Sequence, residues 1–336
     1  MIKGDFMAHA IIKGTGHYAP EKVVKNQFFN DLYKKDIDTF LREQRNISER
    51  RWMNSNQSTS DLIVPAAEMA LQNAGLTSAD LDLIIIATDT PDYLSPSTAS
   101  VVQHKLQATK AGTFDVNAAC AGFVTALDIG RRYIQTDDEV QNVLVVGAYA
   151  MSRWLNLDDY KIATLFADGA GAAILQATNN EKTGFLSASY KSLGEFHDYM
   201  GIYAGGSYKP FNQDVLDKKE QYLSFPKRIP PETNGQHWPG LIRKAAEKAG
   251  WNYRDINHFF ITQFNVQSIY ETMDKLELPR ERAHLVMQKY GYTGSASIGM
   301  CLSDAVQEKK LKTGDKIMFV GSGGGLSMTA AAAEWV

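Results

Sequence analysis

One cysteine stands in a segment whose residue types suit nucleophilic chemistry. The segment from Gly112 to Phe123 reads GTFDVNAACAGF and runs from an extended stretch into a helical pattern, so Cys120 falls at or just before a helix N-terminus. Unpaired backbone N–H groups and the helix dipole stabilise a thiolate at such a position. Small neighbours allow a substrate carbonyl to approach the sulfur, as at a nucleophile elbow. A lone cysteine is also a common buried hydrophobe, and the local sequence leaves both interpretations open.

A glycine cluster near the end of the chain could supply the second part of such a site. Residues Gly321 to Leu326 read GSGGGL and follow an apolar strand pattern. Glycine permits the backbone geometry that aims an N–H at a developing oxyanion, and one such donor is worth about 3 kcal/mol. Alone the cluster is typical of a tight turn, but together with Cys120 it favours an oxyanion hole. The other cysteine, Cys301, lies inside a helical pattern and is predicted to be a core residue.

The elements that would position these residues follow an α/β pattern. Short apolar or β-branched runs predict strands, and they alternate with helical patterns, which is the order of an α/β fold. Two segments, Ala67–Thr88 and Ile242–Gln263, share a helix pattern, a glycine, an aspartate and a strand in the same order. Their glycines, Gly75 and Gly250, are 175 positions apart. This repeat predicts two halves of similar topology.

The repeat also predicts domain boundaries. We expect an N-terminal half over residues 1–180, which carries Cys120, and a C-terminal half over residues 241–336. Residues 181–240 have no counterpart in the first half and are rich in tyrosine, phenylalanine, lysine, proline and glycine. They are predicted to form a long surface loop that covers a site.

Composition excludes several classes of function. The 336 residues carry 35 lysines and arginines against 38 aspartates and glutamates, so the formal net charge is −3 and does not attract nucleic acid or an anionic membrane. Two cysteines cannot form a disulfide framework. The first seven residues hold no apolar core of signal-peptide length, and no apolar run is long enough to span a membrane. We expect a cytoplasmic protein without a metal site that binds neither nucleic acid nor membrane.

Taken together, the motifs resemble those of β-ketoacyl-acyl-carrier-protein synthase III, a family of condensing enzymes in the thiolase superfamily. The resemblance covers nearly the whole chain. It implies a thiolase-like α/β fold in which two pseudo-symmetric halves form a five-layered αβαβα core, and a homodimer or a heterodimer with a related subunit. It also implies no cofactor, since the substrate is a thioester of coenzyme A or of the phosphopantetheine of acyl carrier protein. The matching blocks are SERR at 48–51, NAACAGF at 117–123, FADGAGAA at 166–173 and GSGGGL at 321–326.

The resemblance assigns roles to four positions. In this family a cysteine takes the acyl group from a thioester, and the N–H groups of that cysteine and of a glycine hold the carbonyl oxygen; Cys120 and Gly324 match these positions. A histidine and an asparagine stabilise the enolate that forms when a malonyl thioester loses carbon dioxide. Here Gln263 stands at the histidine position and Tyr292 at the asparagine position. Both can donate hydrogen bonds to an oxyanion, but glutamine cannot carry a proton as imidazole does.

No other histidine is predicted to replace the missing one. His258 lies on the same predicted strand as Gln263 but on the opposite face. The remaining candidates are interpreted as surface or packing residues: His197, His237 and His284. The usual pair of histidine and asparagine is therefore expected to be absent.

The features that would bind the substrate carrier also differ from the family pattern. Some members sandwich the adenine of coenzyme A between an aromatic ring and an arginine. The corresponding positions here are Phe40 and Tyr160, which allow stacking but remove the cationic contact. Arginines between positions 42 and 51 either bind phosphates or form structural ion pairs, and the choice between coenzyme A and carrier protein stays open. These arginines are Arg42, Arg45, Arg50 and Arg51.

The resulting hypothesis is an acyl-thioester transferase. Cys120 is acylated by an acyl thioester, and the acyl group is condensed with a malonyl-type or β-keto thioester in fatty-acid-like or specialised metabolite biosynthesis. One alternative is an acyltransferase or thioester hydrolase that does not decarboxylate its substrate. Another is a non-catalytic partner subunit of a related synthase, although the presence of Cys120 and of the glycine cluster argues against it.

Overall fold

The computed structural model describes residues 8–180 and 183–336. The first seven residues, on which the expectation about a signal peptide rests, lie outside the described residues, as do 181 and 182, where the long loop was predicted to begin. None of the helices in the described ranges is long and apolar enough to cross a membrane.

The secondary structure alternates strands and helices along most of the chain. The strands are β1 (His9–Tyr18), β2 (Lys22–Lys25), β3 (Glu49–Trp52), β4 (Leu83–Ala87), β5 (Gly112–Val116), β6 (Asn142–Ala150), β7 (Asp168–Thr178), β8 (Gly184–Ser192), β9 (His258–Ile261), β10 (Lys316–Gly323) and β11 (Ser327–Glu334). The helices are α1 (Asn26–Tyr33), α2 (Asp38–Arg45), α3 (Thr59–Ala74), α4 (Thr98–Leu106), α5 (Gly122–Thr136), α6 (Tyr160–Ala163), α7 (Gln213–Asp217), α8 (Thr233–Lys248), α9 (Val266–Lys275), α10 (Met287–Tyr290) and α11 (Ser297–Gln307).

Two mixed sheets form the centre of the protein. The first has the strand order β1-β7-β6-β4-β5 and the second the order β8-β11-β10-β9. Strand β4 runs parallel to both β5 and β6, and β9 runs parallel to β10. The carboxyl ends of β4, β5 and β6 therefore meet at one edge of the first sheet.

Helices cover both sheets and separate them. Helices α5 and α11 lie between the sheets, α3 and α4 pack on the outer face of the first sheet, and α8 and α9 cover the second. Buried apolar side chains of the central layer come from both sheets and both helices, for example Val145 of β6, Leu127 of α5, Ile298 of α11 and Phe260 of β9. This arrangement is the five-layered αβαβα core of the thiolase fold, and it confirms the predicted fold class.

The two halves repeat one another element by element. The predicted loop over 181–240 is too long, because regular elements of this repeat occupy both of its ends. Strand β8 pairs with β11 as β1 pairs with β7, so Gly184–Ser192 belongs to the second sheet. The buried residues of β8 are mostly small or polar, such as Ser187 and Ser189, which hides its strand pattern from the sequence. Helix α8 also begins at Thr233, before the predicted boundary. The irregular segment is therefore 193–232.

The block FADGAGAA owes its composition to the close approach of β7 and α11. A Cβ atom on Gly171 would lie 2.2 Å from the backbone nitrogen of Met300, so only glycine fits there. Asp168 at the start of β7 accepts hydrogen bonds from the backbone N–H groups of Met53 (2.7 Å) and Ser152 (2.8 Å). The block therefore fixes the position of the helix that approaches Cys120 from the second half.

Candidate active site

Cys120 lies in a strained turn between a strand and a helix. Strand β5 ends at Val116, a 3₁₀ turn spans Ala119–Ala121, and α5 begins at Gly122, as the sequence predicted. Ala119 has a φ of 44°, in the left-handed region, where a residue with a side chain costs about 1 kcal/mol or more. The turn places Cys120 at the carboxyl edge of the first sheet.

The Cys120 side chain is a protonated thiol in the resting protein. It is only 3% exposed, and this burial raises its pKa to about 12; the negative charge of Asp89 raises the pKa as well. A hydrogen bond from the Tyr292 side chain acts in the opposite direction but does not offset burial. Desolvation therefore opposes the stabilisation of a thiolate that is expected from the helix terminus.

Tyr292 lies directly against the nucleophile position, at the place where the family has asparagine. Its ring is buried among other aromatic rings, with centroid distances of 5.4 Å to Phe166, 6.4 Å to Tyr149 and 5.0 Å to Phe264. Burial raises the pKa of Tyr292 well above its ordinary value, so its hydroxyl stays a neutral hydrogen-bond donor. The structure thus brings Tyr292 and Cys120 together.

Gln263 does not reach the candidate site. It is buried, and its Nε2 donates to the carbonyls of Ile261 (2.9 Å) and His284 (3.2 Å), while its Oε1 accepts from the backbone N–H of Val286 (3.0 Å). These bonds occupy the amide and fasten the end of β9 to the next segment. The assignment of Gln263 as a donor to the reacting oxygen is therefore contradicted, because its side chain points into backbone rather than toward Cys120.

Phe264, the next residue in the chain, takes the place beside Tyr292. It lines the cavity described below, and its ring packs on Tyr292 and Phe166. A ring without a polar atom can exclude water but cannot donate a hydrogen bond. The motif alignment could not reveal this exchange, because it depends on how the loop after β9 turns.

The glycine cluster adjoins the turn that holds Cys120. A Cβ atom on Gly323, the last residue of β10, would lie 2.6 Å from the Cys120 backbone nitrogen and 2.6 Å from the carbonyl oxygen of Ala118. On Gly324 it would lie 3.2 Å from the carbonyl oxygen of Met200. Glycine at 323 is thus required for the two halves to meet at the cysteine. The donor role of the Gly324 N–H stays a prediction.

A cavity of about 800 Å³ leads from the surface to this meeting point. Its inner end is formed by Tyr292, Phe264 and Gly323, and its outer end includes both residues predicted to contact the carrier, Phe40 and Tyr160. A cavity of this size accommodates an extended small molecule. The irregular segment 193–232 supplies one wall, in agreement with the prediction that it covers a site; its lining residues are Tyr199, Met200, Phe225, Pro226, Lys227, Arg228, Ile229, Pro230 and Pro231.

Cations stand beside both aromatic residues at the outer end. The Nζ of Lys35 is 4.8 Å from the ring centroid of Tyr160, and the guanidinium of Arg45 is 5.7 Å from that of Phe40. These cations contact the protein's own rings, and the expected loss of a cationic contact to adenine stays a prediction. The Nε of Arg45 is buried without a hydrogen-bond partner, and desolvation lowers the pKa of its guanidinium.

The other three arginines of the predicted cluster are engaged elsewhere. Arg50 is fully buried and donates to the carbonyl of Val24 (3.0 Å) and to Asn26 Oδ1 (2.6 Å). Arg42 pairs with Asp38 on the surface, and Arg51 pairs with its neighbour Glu49. Of this cluster, only Arg45 lines the cavity.

No histidine lines the cavity wall formed by the described residues. His284 packs near Gln263 but pairs with Asp304 through its Nε2 at 2.9 Å. Lys310 lies 3.1 Å from its Nδ1, and Lys289 pairs with Asp304. His284, Asp304 and Glu308 have metal-ligand chemistry and spacing, yet these two lysines already balance their charge.

Asp89 was not singled out by the sequence analysis, although it belongs to the site. It follows β4 at the same sheet edge as Cys120, and its Oδ1 is buried without a hydrogen-bond partner. Burial raises the pKa of its carboxyl to about 6. Its charge acts on Cys120, Tyr149 and Tyr292. A polar residue directly after a buried parallel strand was the available signal.

A duplicated five-layer core with a cysteine in a strained turn at the meeting point of its halves defines a condensing enzyme of the thiolase fold. Comparisons with known proteins specify the family. Residues 114–194 match the family described as 3-oxoacyl-[acyl-carrier-protein] synthase III, and residues 246–335 match its C-terminal region. The chain belongs to the 3-oxoacyl-[acyl-carrier-protein] synthase III family.

Individual relatives match over nearly their full lengths. The chain is 34% identical over 327 residues to a β-ketoacyl-[acyl-carrier-protein] synthase III of Fusobacterium nucleatum, covering 96% of this chain and 98% of the relative. It is 36% identical over 326 residues to an acetoacetyl CoA synthase of Streptomyces, covering 96% and 98%. The crystal structure of 3-oxoacyl-[acyl-carrier-protein] synthase III from Aquifex aeolicus superposes with a TM-score of 0.86 at 32% identity, covering 97% and 100%.

Proposed function

We propose that this enzyme transfers an acyl group from a thioester to Cys120 and then condenses it with a malonyl-type thioester to form a carbon–carbon bond. The observation that carries the proposal is that Tyr292 and Gly323, which line the inner end of a cavity of about 800 Å³, both adjoin Cys120. Relatives that match almost end to end are named as synthases of β-keto thioesters.

The acylation step uses the backbone around the cysteine. As sulfur attacks the thioester carbonyl, negative charge develops on the carbonyl oxygen, and the N–H groups of Cys120 and Gly324 are proposed to receive it. Expulsion of the donor thiol leaves an acyl group on Cys120. The aromatic rings around Tyr292 exclude water from this thioester.

The condensation step must stabilise an enolate without the usual pair of histidine and asparagine. Tyr292 is a neutral donor within hydrogen-bonding reach of Cys120, and we assign to its hydroxyl the stabilisation of the enolate oxygen. Gln263 has no part in this step, because backbone groups occupy its amide. One strong hydrogen-bond donor in a pocket without water stabilises the enolate by about 3 kcal/mol, so condensation remains feasible at a reduced rate.

One observation favours a second candidate, acyl transfer to another nucleophile without decarboxylation. Phe264 stands beside Tyr292, where the family motif places polar groups. The two candidates differ in one measurement: acyl-Cys120 is mixed with a malonyl thioester, and carbon dioxide and product mass are followed. Release of carbon dioxide with a β-keto product supports condensation. Acyl transfer with an intact malonyl group supports the second candidate.

The nucleophile itself is tested by intact-protein mass spectrometry with a panel of acyl thioesters. We expect one acyl adduct on the wild type and none on the Cys120→Ala variant. Cys301→Ala is the matched control, because Cys301 is also a buried free thiol but donates to the His284 carbonyl, away from the cavity. Lack of an adduct on the wild type would instead favour a non-catalytic partner subunit.

We propose coenzyme A thioesters as acyl donors, because Lys35 and Arg45 place positive charge at the outer end of the cavity. Replacing both with alanine should raise the KM for an acyl-CoA about 10-fold or more while leaving the KM for the same acyl pantetheine, which lacks the phosphates, unchanged. Lys244→Ala, an exposed lysine outside the cavity, is the control. Equal effects on both donors would exclude phosphate recognition by this pair.

We further propose a dimer that works in the cytoplasm. The loop after β4 exposes two neighbouring apolar side chains, Tyr93 (56%) and Leu94 (84%), next to the edge that carries Cys120, and such a patch is typical of an interface. Light scattering at micromolar concentration should give twice the chain mass of 37.3 kDa, and a monomer would contradict the proposal. Two free cysteines are consistent with a reducing compartment.

A further inference from the structure

The carboxylate of Asp89 has no assigned task, although its negative charge acts on the nucleophile. Among the described residues its Oδ1 is one of a few buried side-chain oxygens that lack a hydrogen-bond partner. An unpaired acid at such a place costs stability unless the site uses it. The titratable groups on which its charge acts are Cys120 from the turn before α5, Tyr149 from β6 and Tyr292 from the segment after α10, and none of them is a cation.

The backbone on both sides of Asp89 is held firmly. The N–H of Thr88 donates to the Val116 carbonyl (3.2 Å), which ties the end of β4 to the end of β5 just before the cysteine turn. Thr90 Oγ1 accepts from the backbone N–H of Ala150 at 2.9 Å, which ties the other side to β6. The backbone at Asp89 is therefore held between the two strands that flank β4.

The cysteine turn packs directly on the strand that ends before Asp89. A Cβ atom on Gly122, two residues after Cys120, would lie 3.1 Å from the Cβ of Ala87, two residues before Asp89. Cys120 itself needs a proton acceptor, because its thiol is protonated at neutral pH and no histidine lines the cavity in the described parts of the chain. An acid with an unpaired oxygen and a thiol that needs a proton acceptor are therefore found at the same edge of the sheet.

We infer that Asp89 is the general base that removes the proton of Cys120 during acylation. The inference rests on the proposed acylation of Cys120. As the Cys120 sulfur forms its bond to the thioester carbonyl carbon, its proton passes to the Asp89 carboxylate through one bridging water, and the carbonyl π electrons move to the oxygen. When the tetrahedral intermediate collapses, the bond to the donor sulfur breaks, and the donor thiolate takes the proton from Asp89. The acyl group is thereby transferred to Cys120, and the proton to the departing donor thiol.

An acid with a pKa of about 6 suits this task at neutral pH, since it is ionised there yet more basic than an ordinary aspartate. The pH dependence of single-turnover acylation tests the role on the wild type. We expect the rate to rise from pH 5 to an apparent pKa near 6 and to stay level up to pH 9. A thiol that ionises without a base would instead give a rate that rises about 10-fold per pH unit over the whole range, since its pKa lies near 12.

The Asp89→Asn variant provides a second test with two readouts of opposite sign. Acylation of Cys120 by an acyl thioester should fall about 100-fold or more, the range for loss of a general base. Alkylation of Cys120 by iodoacetamide should become faster at pH 8, because removal of the negative charge lowers the pKa of the thiol. Peptide mapping separates Cys120 from Cys301. A merely structural role would slow both reactions, and unchanged acylation would overturn the inference.

Asp92→Asn is the matched control, because Asp92 lies in the same loop but its carboxylate accepts from the backbone N–H (2.9 Å) and the hydroxyl (2.6 Å) of Ser60. Acylation by this variant should stay within about threefold of the wild type. A wild type that forms no adduct would refute the proposed acylation itself. If Asp89→Asn is acylated as fast as the wild type, only the role of Asp89 is refuted.

Discussion

The Tyr292 side chain forms a hydrogen bond to the thiol of Cys120 across the boundary between the two halves of the protein. This bond joins the residue at the family's asparagine position to the nucleophile position and closes the inner end of the cavity. Both side chains are almost fully buried, 2% exposed for Tyr292 and 3% for Cys120. The Tyr292 hydroxyl therefore lowers the pKa of the thiol, against the larger effect of burial.

Loss of that hydroxyl should make Cys120 less reactive. The hydrogen bond from Tyr292 lowers the pKa of the thiol, so Tyr292→Phe should raise this pKa further and reduce the thiolate fraction at any pH below it. A hydrogen bond to a charged group is worth about 1.5 to 3 kcal/mol, which corresponds to about 10-fold or more. The measurement is the rate of iodoacetamide alkylation from pH 8 to 10.

Tyr149→Phe is the control for this experiment, since it removes a hydroxyl from the same aromatic group. The Tyr149 ring contacts Tyr292 at a centroid distance of 6.4 Å, but no hydrogen bond from Tyr149 contributes to the pKa of Cys120. Its alkylation profile should match that of the wild type. Identical profiles for both variants would contradict the effect of the Tyr292 hydrogen bond.

Gln263→Leu should destabilise the protein without disabling the acylation step. The substitution leaves the Val286 N–H and the carbonyls of Ile261 and His284 without partners, which should lower the free energy of unfolding by about 2 to 4 kcal/mol. Urea denaturation measures this change. Gln267→Leu, at an exposed position on α9, should change stability by less than about 0.5 kcal/mol. A Gln263→Leu variant with the stability of the wild type but without condensation activity would show that Gln263 does take part in catalysis.

Gly323→Ala should abolish acylation while the fold persists. The new Cβ atom would lie 2.6 Å from the Cys120 nitrogen, so the backbone that presents the thiol and its N–H must shift. We expect at least about a 100-fold loss, the effect of removing one oxyanion donor. Gly206→Ala is the control, because nothing lies within 4 Å of its Cβ position. Normal adduct formation by Gly323→Ala would show that the contact tolerates a methyl group.

The ionised carboxylate of Asp89 should lower the free energy of unfolding at neutral and alkaline pH. Its carboxyl has a pKa of about 6 in the folded protein and about 3.9 in an unfolded chain, so the folded state binds the proton more tightly. The contribution of Asp89 to stability should therefore fall as pH rises from 4 to 6 and stay level above. Asp89→Asn should raise the free energy of unfolding by about 1 to 3 kcal/mol at pH 8, with no gain at pH 4. Chemical denaturation at the two pH values measures this, and an equal gain at both would refute it.

Much of the architecture could be predicted from the sequence because it depends on local patterns. The duplication followed from segments 175 positions apart, and the helix after Cys120 followed from its small residues and apolar period. Strand β8 escaped detection, because pairing with β11 rather than its own small residues makes it a strand.

The order of residues was enough to identify a candidate nucleophile, the missing histidine of its motif and the two similar halves around the site. Tertiary structure alone decided the ionisation of Cys120, the inward turn of Gln263 and the approach of Asp89. The physical reason is that pKa and side-chain direction depend on burial and on partners far away in the chain, such as Tyr292 for Cys120. Motif position specifies where a residue stands in the chain, but packing specifies what its side chain touches.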